Sequence, residues 1–107
     1  MADKRLKELR RRLEQKRFWL EVDLARVRHY RATGEAGKVL YYSTRAADLM
    51  MSVGPGVVPF IWNCDTIISY VDCGMIPAVM IEFENKCQYD INEHVRLEAR
   101  PRGKNND

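Results

Sequence analysis

The sequence has few of the features that mark a secreted protein. Its three cysteines, Cys64, Cys73 and Cys87, are odd in number and show no paired spacing of the kind that a disulfide framework has. The first residues contain no apolar stretch such as a secretory signal requires. We therefore expect an intracellular protein, cytoplasmic or nuclear, whose thiols are reduced.

Signatures of catalysis and of metal binding are also missing. The residue types that bind zinc occur at Cys64, Cys73, Cys87 and His94. Their separations of nine, fourteen and seven positions give no close ligand pair, so we expect no metal site. Asp65 and Asp72 are two helical turns apart, about 10.5 Å, which is too far to share a proton. With no glycine-rich phosphate loop and no nucleophile motif, the sequence predicts a protein without enzymatic activity, cofactor or small-molecule substrate.

One long apolar segment, residues 53–81, resembles a membrane span, but two carboxylates interrupt it. Asp65 and Asp72 at the centre of a bilayer would each cost about 2.5–3.5 kcal/mol. A core helix with one polar face avoids this cost. We therefore predict a helix that starts near Pro59 and stops near Gly74, and at most peripheral contact with a membrane.

The charge is distributed unevenly along the chain. Residues 1–32 contain eleven Lys and Arg against five acids, whereas the remaining residues carry a net charge of −3. A basic segment on a mildly acidic body attracts polyanions, anionic membranes, acidic proteins or a second copy of the chain. The length of 107 residues and the 46% hydrophobic content are typical of one globular domain.

The basic segment is predicted to be one long amphipathic helix, from about Asp3 to about Tyr30. An apolar stripe recurs at three, four or seven positions along it: Leu6, Leu9, Leu13, Leu20, Leu24 and Val27. Phe18, Trp19 and Val22 make its second half apolar on nearly every side, so we expect residues 18–30 to pack into the domain or into a partner subunit and residues 1–17 to project from it. The predicted stop is at Thr33 and Gly34.

A second helix is expected from about Glu35 to Val53, before the Gly54-Pro55-Gly56 break. A strand over residues 38–43 is the alternative, but the run Val-Leu-Tyr-Tyr does not alternate.

After Gly74 the apolar pattern changes to a period of two, which predicts strands. The apolar positions of these strands are Val79, Ile81 and Phe83, then Cys87, Tyr89 and Ile91, and finally Val95, Leu97 and Ala99. The predicted fold class is therefore α+β and helix-dominated, with a long N-terminal amphipathic helix, two shorter helices and a small C-terminal antiparallel sheet. Residues 1–100 form the single domain, residues 1–32 its projecting helix, and residues 101–107 a disordered tail.

The basic helix is the best candidate for a functional site. The candidate ligands for nucleic acid or another polyanion are Lys4, Arg5, Arg11, Arg12 and Lys16. Opposite charges four positions apart, such as Glu8 with Lys4 or Arg12 and Arg17 with Glu21, compete for these bases and favour a solvated helix without a partner. Subtracting such pairs leaves Arg5, Arg11 and Lys16 as the clearest surplus of positive charge.

Apolar residues of the same helix are candidates for a protein interface. Leu6, Leu9, Leu13 and Leu20 would pair with a second copy or a partner, while Lys16 and Asp23 interrupt the heptads of a longer coiled coil. Trp62 and Cys73 fall on the polar face of the third predicted helix and are further candidate contacts.

The leading hypothesis from sequence is a small non-enzymatic binding protein, dimeric, that uses its basic helix to bind RNA or DNA. One alternative is an adaptor or assembly subunit whose first helix docks on another protein. The other is peripheral attachment to an anionic membrane with Phe18 and Trp19 as anchors.

Overall fold

The computed structural model of the protein describes residues 2–55 and 61–99 and folds them into four helices. These are α1 (Ala2–Thr33), α2 (Ala36–Met51), α3 (Cys64–Asp72) and α4 (Ile76–Glu98). The predicted helix start at Pro59 and the predicted tail 101–107 lie outside the described residues. Residues 38–43 belong to α2, so the helical interpretation of that segment is confirmed and the strand alternative is wrong.

The helix ends follow from residues that stop or start a helix. Gly34 and Gly74 both have positive φ, 80° and 72°, a conformation that glycine adopts without the cost a side chain imposes. The N–H groups of Gly34 and Glu35 both donate to the carbonyl of Tyr30, closing the turn after α1. At the start of α3, the side-chain oxygen of Asn63 accepts a hydrogen bond from the backbone N–H of Thr66.

The predicted C-terminal sheet is wrong, because residues 76–98 form the single helix α4 and no strand occurs within the described ranges. Pro77 lies in the first turn of α4, where its missing N–H has no cost. Val79 and Phe83, four residues apart, are fully buried on one face of the helix. Ile81, which strand alternation would place on that same face, is 60% exposed. Apolar residues four positions apart fit both the strand period and the helical period, and the buried residues follow the helical one.

Helix α1 is the central element, and both α2 and α4 run antiparallel to it. Against α2, Asp23 meets Arg45 and Lys16 meets Ser52, so the numbering of α2 rises as that of α1 falls. Against α4, Arg17 meets Glu84 and Arg5 meets Glu98 in the same sense. The core residues come from all four helices and the segments beside them: Leu13, Leu20, Leu24, Val27, Val39, Ala46, Ala47, Met50, Val53, Trp62, Ile67, Val71, Val79, Met80 and Phe83.

The two halves of α1 have different neighbours. Helix α2 ends beside Lys16, so among the described helices only α4 accompanies the first half of α1 towards its N-terminus. We call residues 4–15 of α1 together with residues 86–98 of α4 the two-helix arm. The molecule measures 60 × 25 × 20 Å and has a radius of gyration of 16.8 Å. A compact chain of this length has a radius of about 13 Å, so the arm gives the protein an elongated shape.

The second half of α1 is less completely packed than its composition predicts. Leu20, Leu24 and Val27 are fully buried. Phe18 and Trp19, however, are 56% and 43% exposed, because neither lies on the buried stripe. Residues 18–30 therefore pack into the domain along the apolar stripe, whereas Phe18 and Trp19 stay largely exposed in the single chain.

Candidate nucleic-acid interface

The basic residues predicted to bind a polyanion divide into paired and unpaired groups. Arg5 contacts Glu98 of α4 at 3.3 Å, and Arg11 contacts Glu8 at 2.6 Å. Lys4 and Arg12 are exposed and form no ion pair with the described part of the chain. Lys4 and Arg12 therefore keep unpaired charge, whereas Arg5 and Arg11, which the sequence analysis counted as surplus, are paired.

Lys16 is half-buried at the end of the arm. Its ammonium group donates a hydrogen bond to the backbone carbonyl of Ser52, at 3.2 Å, just beyond the end of α2. This bond leaves the charge without a carboxylate partner among residues 2–55 and 61–99. Lys16 is thus a fixed cation where α1, α2 and the arm meet.

Glu8 shows why sequence spacing did not predict the pairing. The side chain accepts hydrogen bonds from Arg11, three positions away, instead of pairing with Lys4 or Arg12 at four. The hydrogen bond from Arg11 lowers the pKa of Glu8, and the charges of Arg11 and Arg12 lower it further. Of the predicted pairs, Arg17 with Glu21 does form, at 3.9 Å.

Helix α4 supplies two carboxylates that sequence spacing could not reveal. Arg17 contacts Glu84 at 2.9 Å, closer than its contact with Glu21, and Arg5 contacts Glu98. Both acids lie in the segment predicted to form the antiparallel sheet, so no position opposite α1 was predicted for them. Residues 4–17 contain eight bases and two acids, and these two partners still leave four cations in excess.

The leucines predicted to form an interface have different degrees of burial. Leu20 is fully buried and Leu13 nearly so, both in the core of their own chain. Leu6 and Leu9 are half-buried, and Leu9 packs against the edge of that core. Of these four leucines, Leu6 and Leu9 therefore keep apolar surface available to a partner.

The two candidate contacts near α3 also differ. Trp62 is 5% exposed, its backbone N–H donates to the sulfur of Met51 at 3.4 Å, and its ring lies 5.2 Å from that of Tyr70. It precedes α3, so the helical face assigned to it does not exist, and its indole belongs to the core. Cys73 is exposed at the C-cap of α3.

A cluster that sequence reasoning missed lies between α1 and α2. Asp23 is fully buried and faces two guanidinium groups, Arg45 at 3.3 Å and Arg26 at 3.7 Å. Burial raises the pKa of Asp23, while the charge and hydrogen bond of Arg45 oppose that rise. The signal in the sequence was an acid in the apolar stripe, but its partners lie on another helix and on the next turn.

Tyrosines and cations alternate along the contact between α1 and α2, which we call the seam. The rings of Tyr30 and Tyr42 stack with centroids 5.7 Å apart and planes 9° from parallel. The Arg26 guanidinium lies 5.0 Å from the ring centre of Tyr42, and the Lys38 ammonium 4.9 Å from that of Tyr30. Because α1 and α2 are antiparallel, these four side chains alternate between the helices and hold the seam closed.

Comparison of the chain with known protein families, curated proteins and solved structures finds no match. None of the described helices combines the length and the apolar character needed to cross a lipid bilayer. The function must therefore be inferred from the chemistry of the arm and of the seam.

Proposed function

We propose that this protein is a non-enzymatic binding protein that holds RNA or DNA against the exposed surface of α1 in the two-helix arm. The observation that supports the proposal is a set of four exposed cations without a carboxylate partner among the described residues. They are Lys4, Lys7, Arg10 and Arg12. Such a surface neutralises phosphates and releases their condensed counterions.

The geometry of the helix suits a row of phosphates. Lys4, Lys7 and Arg11 share the face opposite the leucines, and Arg10 and Arg12 lie on its two flanks. From residue 4 to residue 11 the axis advances about 10.5 Å, which is enough to span several phosphates at about 3.4 Å per strand step. Packing against α4 keeps this row in place, so binding does not require the helix to form first.

The test is the salt dependence of binding for two matched double variants. Arg10→Gln with Arg12→Gln removes two unpaired cations from the arm. Arg28→Gln with Arg31→Gln removes the same formal charge from the far end of α1, where Arg31 pairs with Asp72. Fluorescence anisotropy with a labelled 20-base-pair duplex is measured between 50 and 200 mM salt, as is usual for this slope.

We expect the arm variant to bind more weakly and its slope of log K against log salt to fall by about two, since each phosphate contact contributes about 0.9. The control variant should keep most of the slope. Equal losses in the two variants would show that net charge alone attracts the duplex, and a salt-independent affinity would exclude the proposal. A nucleic-acid partner would place the protein in the cytoplasm or the nucleus.

A protein partner is the second candidate, and one observation favours it. Val95 and Leu97 of α4 are exposed in the arm, in which Leu6 and Leu9 of α1 are half-buried. Apolar side chains beside a basic rim suit an acidic amphipathic helix. An adaptor of this kind would lose its partner on Leu97→Asp and keep it on Arg10→Gln, which a pull-down with both variants would show.

A further inference from the structure

Aromatic side chains continue the basic surface from the arm towards α2. Arg12, Lys16 and Trp19 follow one another at intervals of four and three residues, so they lie on one side of α1. This is the side that faces α2, where Arg45 and Tyr41 occupy the adjacent surface. Cations and exposed rings thus alternate over both helices.

Trp19 forms one wall of a shallow cleft beyond the arm. The cleft has a volume of about 400 Å³ and is lined by Lys16, Trp19, Asp23, Arg45, Asp48, Leu49 and Ser52. The ring of Phe18 meets the ring of Trp19 edge to face, with centroids 5.2 Å apart and planes at 81°. Both rings are exposed, but Phe18 does not line the cleft.

Tyr41 extends the surface on the other side of Arg45. Its ring is 56% exposed, and the Arg45 guanidinium lies 5.7 Å from the ring centre. Arg45 also belongs to the cleft that Trp19 lines, so one cation connects the two aromatic rings. The order along the surface is Lys16, Trp19, Arg45 and Tyr41.

Two carboxylates lie in the same region and have different consequences. Asp23 lines the cleft but is fully buried between Arg26 and Arg45, so two guanidinium groups offset its charge. Asp48 is exposed in the cleft and repels phosphate there. A strand of nucleic acid would therefore place its phosphates near Lys16 and Arg45 and its bases, which are uncharged, over the rings.

We propose that the ligand of this surface is single-stranded nucleic acid, with bases stacked on Trp19 and Tyr41 and the backbone following Arg12, Lys16 and Arg45. This inference rests on the proposed function and specifies its substrate class. In a duplex the bases stack on one another and cannot cover a protein ring, whereas every unpaired base has a free face for an aromatic side chain. Among nucleic acids, exposed rings between cations therefore favour an unpaired strand over a duplex.

The experiment compares the affinity for a 20-nucleotide dT strand with that for a duplex of the same length. Trp19→Leu removes the proposed platform, and Phe18→Leu is the matched control, since it removes a neighbouring exposed ring that does not line the cleft. Stacking of one base on an aromatic ring contributes about a fivefold to a hundredfold change in affinity. We expect Trp19→Leu to lower the ratio of single-strand to duplex affinity within that range and Phe18→Leu to leave it within about twofold.

Tryptophan fluorescence gives a second readout. The chain has two tryptophans, Trp19 on the surface and Trp62 in the core. Stacking should quench the emission of the wild-type protein when the dT strand is added, and Trp19→Leu should abolish most of that quenching.

The outcomes separate this inference from the proposed function. Equal affinity for strand and duplex, unchanged by Trp19→Leu, would overturn the single-strand assignment and leave the basic arm as a nucleic-acid site. Equal losses in Trp19→Leu and Phe18→Leu would also overturn it, because the gain would then come from apolar exposure in general. Binding to anionic phospholipid vesicles, with no salt-dependent binding to either nucleic acid, would overturn both proposals.

Discussion

Asp23 is an acid that folding moves out of water, and its ionisation opposes folding. Burial raises its pKa above the ordinary value of 3.8, so the folded protein holds this proton more tightly than the unfolded chain does. The contribution of Asp23 to the free energy of unfolding therefore falls as pH rises from 3.8 through the folded pKa. Asp72 behaves in the opposite way, because the hydrogen bond from Arg31 lowers its pKa. The contribution of Asp72 is present above pH 3.8 and is lost as pH falls through its folded pKa.

Substitution of these two acids should change the free energy of unfolding with opposite dependence on pH. Urea unfolding from about pH 2 to 7 would compare Asp23→Asn and Asp72→Asn with the wild type. The stability advantage of wild type over Asp23→Asn should shrink as pH rises, whereas its advantage over Asp72→Asn should grow. If both differences change in the same direction with pH, Asp23 is not desolvated as the structure has it.

The two faces of helix α4 should contribute very differently to the stability of the protein. Phe83 is fully buried and Ile81 largely exposed. Phe83→Ala should therefore reduce the free energy of unfolding by about 3–5 kcal/mol. Ile81→Ala should change it by no more than about 0.5 kcal/mol. A strand would bury both side chains on one face, so large and similar losses in a chemical unfolding experiment would restore the sheet.

The contrast between α4 and the other helices shows what the sequence could reveal about the fold. In α1 the apolar stripe extends over six turns and Gly34 follows the end of the helix, so the apolar period and the helix boundary both indicated the same element. In α4 the stretch from Val79 to Phe83 satisfies both periods, and Pro77 is equally acceptable at the start of a strand. Only burial against α1 selects the helix, and that contact is not local.

Ion pairing within the candidate site was hidden for the same reason. Each basic residue of α1 could be identified from the sequence. Which of them remain unpaired depends on Glu84, 67 positions after Arg17, and on Glu98, 93 positions after Arg5. The contacts across the seam were even harder to predict from the sequence, because Asp23 meets Arg45 only when α2 folds back along α1.

At the scale of the whole molecule, burial decreases towards the end of the arm. Buried positions in α1 extend from Leu13 to Val27, and in α4 from Val79 to Lys86. Amides in regions with few buried contacts open at lower free energy than those in the core. Hydrogen exchange should thus be at least about tenfold faster at residues 4–11 and 92–98 than at residues 20–27 and 79–86. Uniform protection along α1 would show instead that the arm unfolds only together with the core.

The buried carboxylate in the seam also determines how α1 and α2 are aligned. A stripe of similar aliphatic residues lets one helix slide past another by a turn with little loss of contact. Asp23 removes that freedom, because a shift of one turn would separate it from Arg45 and leave a charge buried without its partner, a loss of about 3–5 kcal/mol. The same alignment places Tyr30 on Tyr42 and Trp19 beside Arg45. Replacing Asp23 by leucine could therefore preserve a stable helical protein while allowing several registers, in most of which the aromatic surface would no longer be continuous.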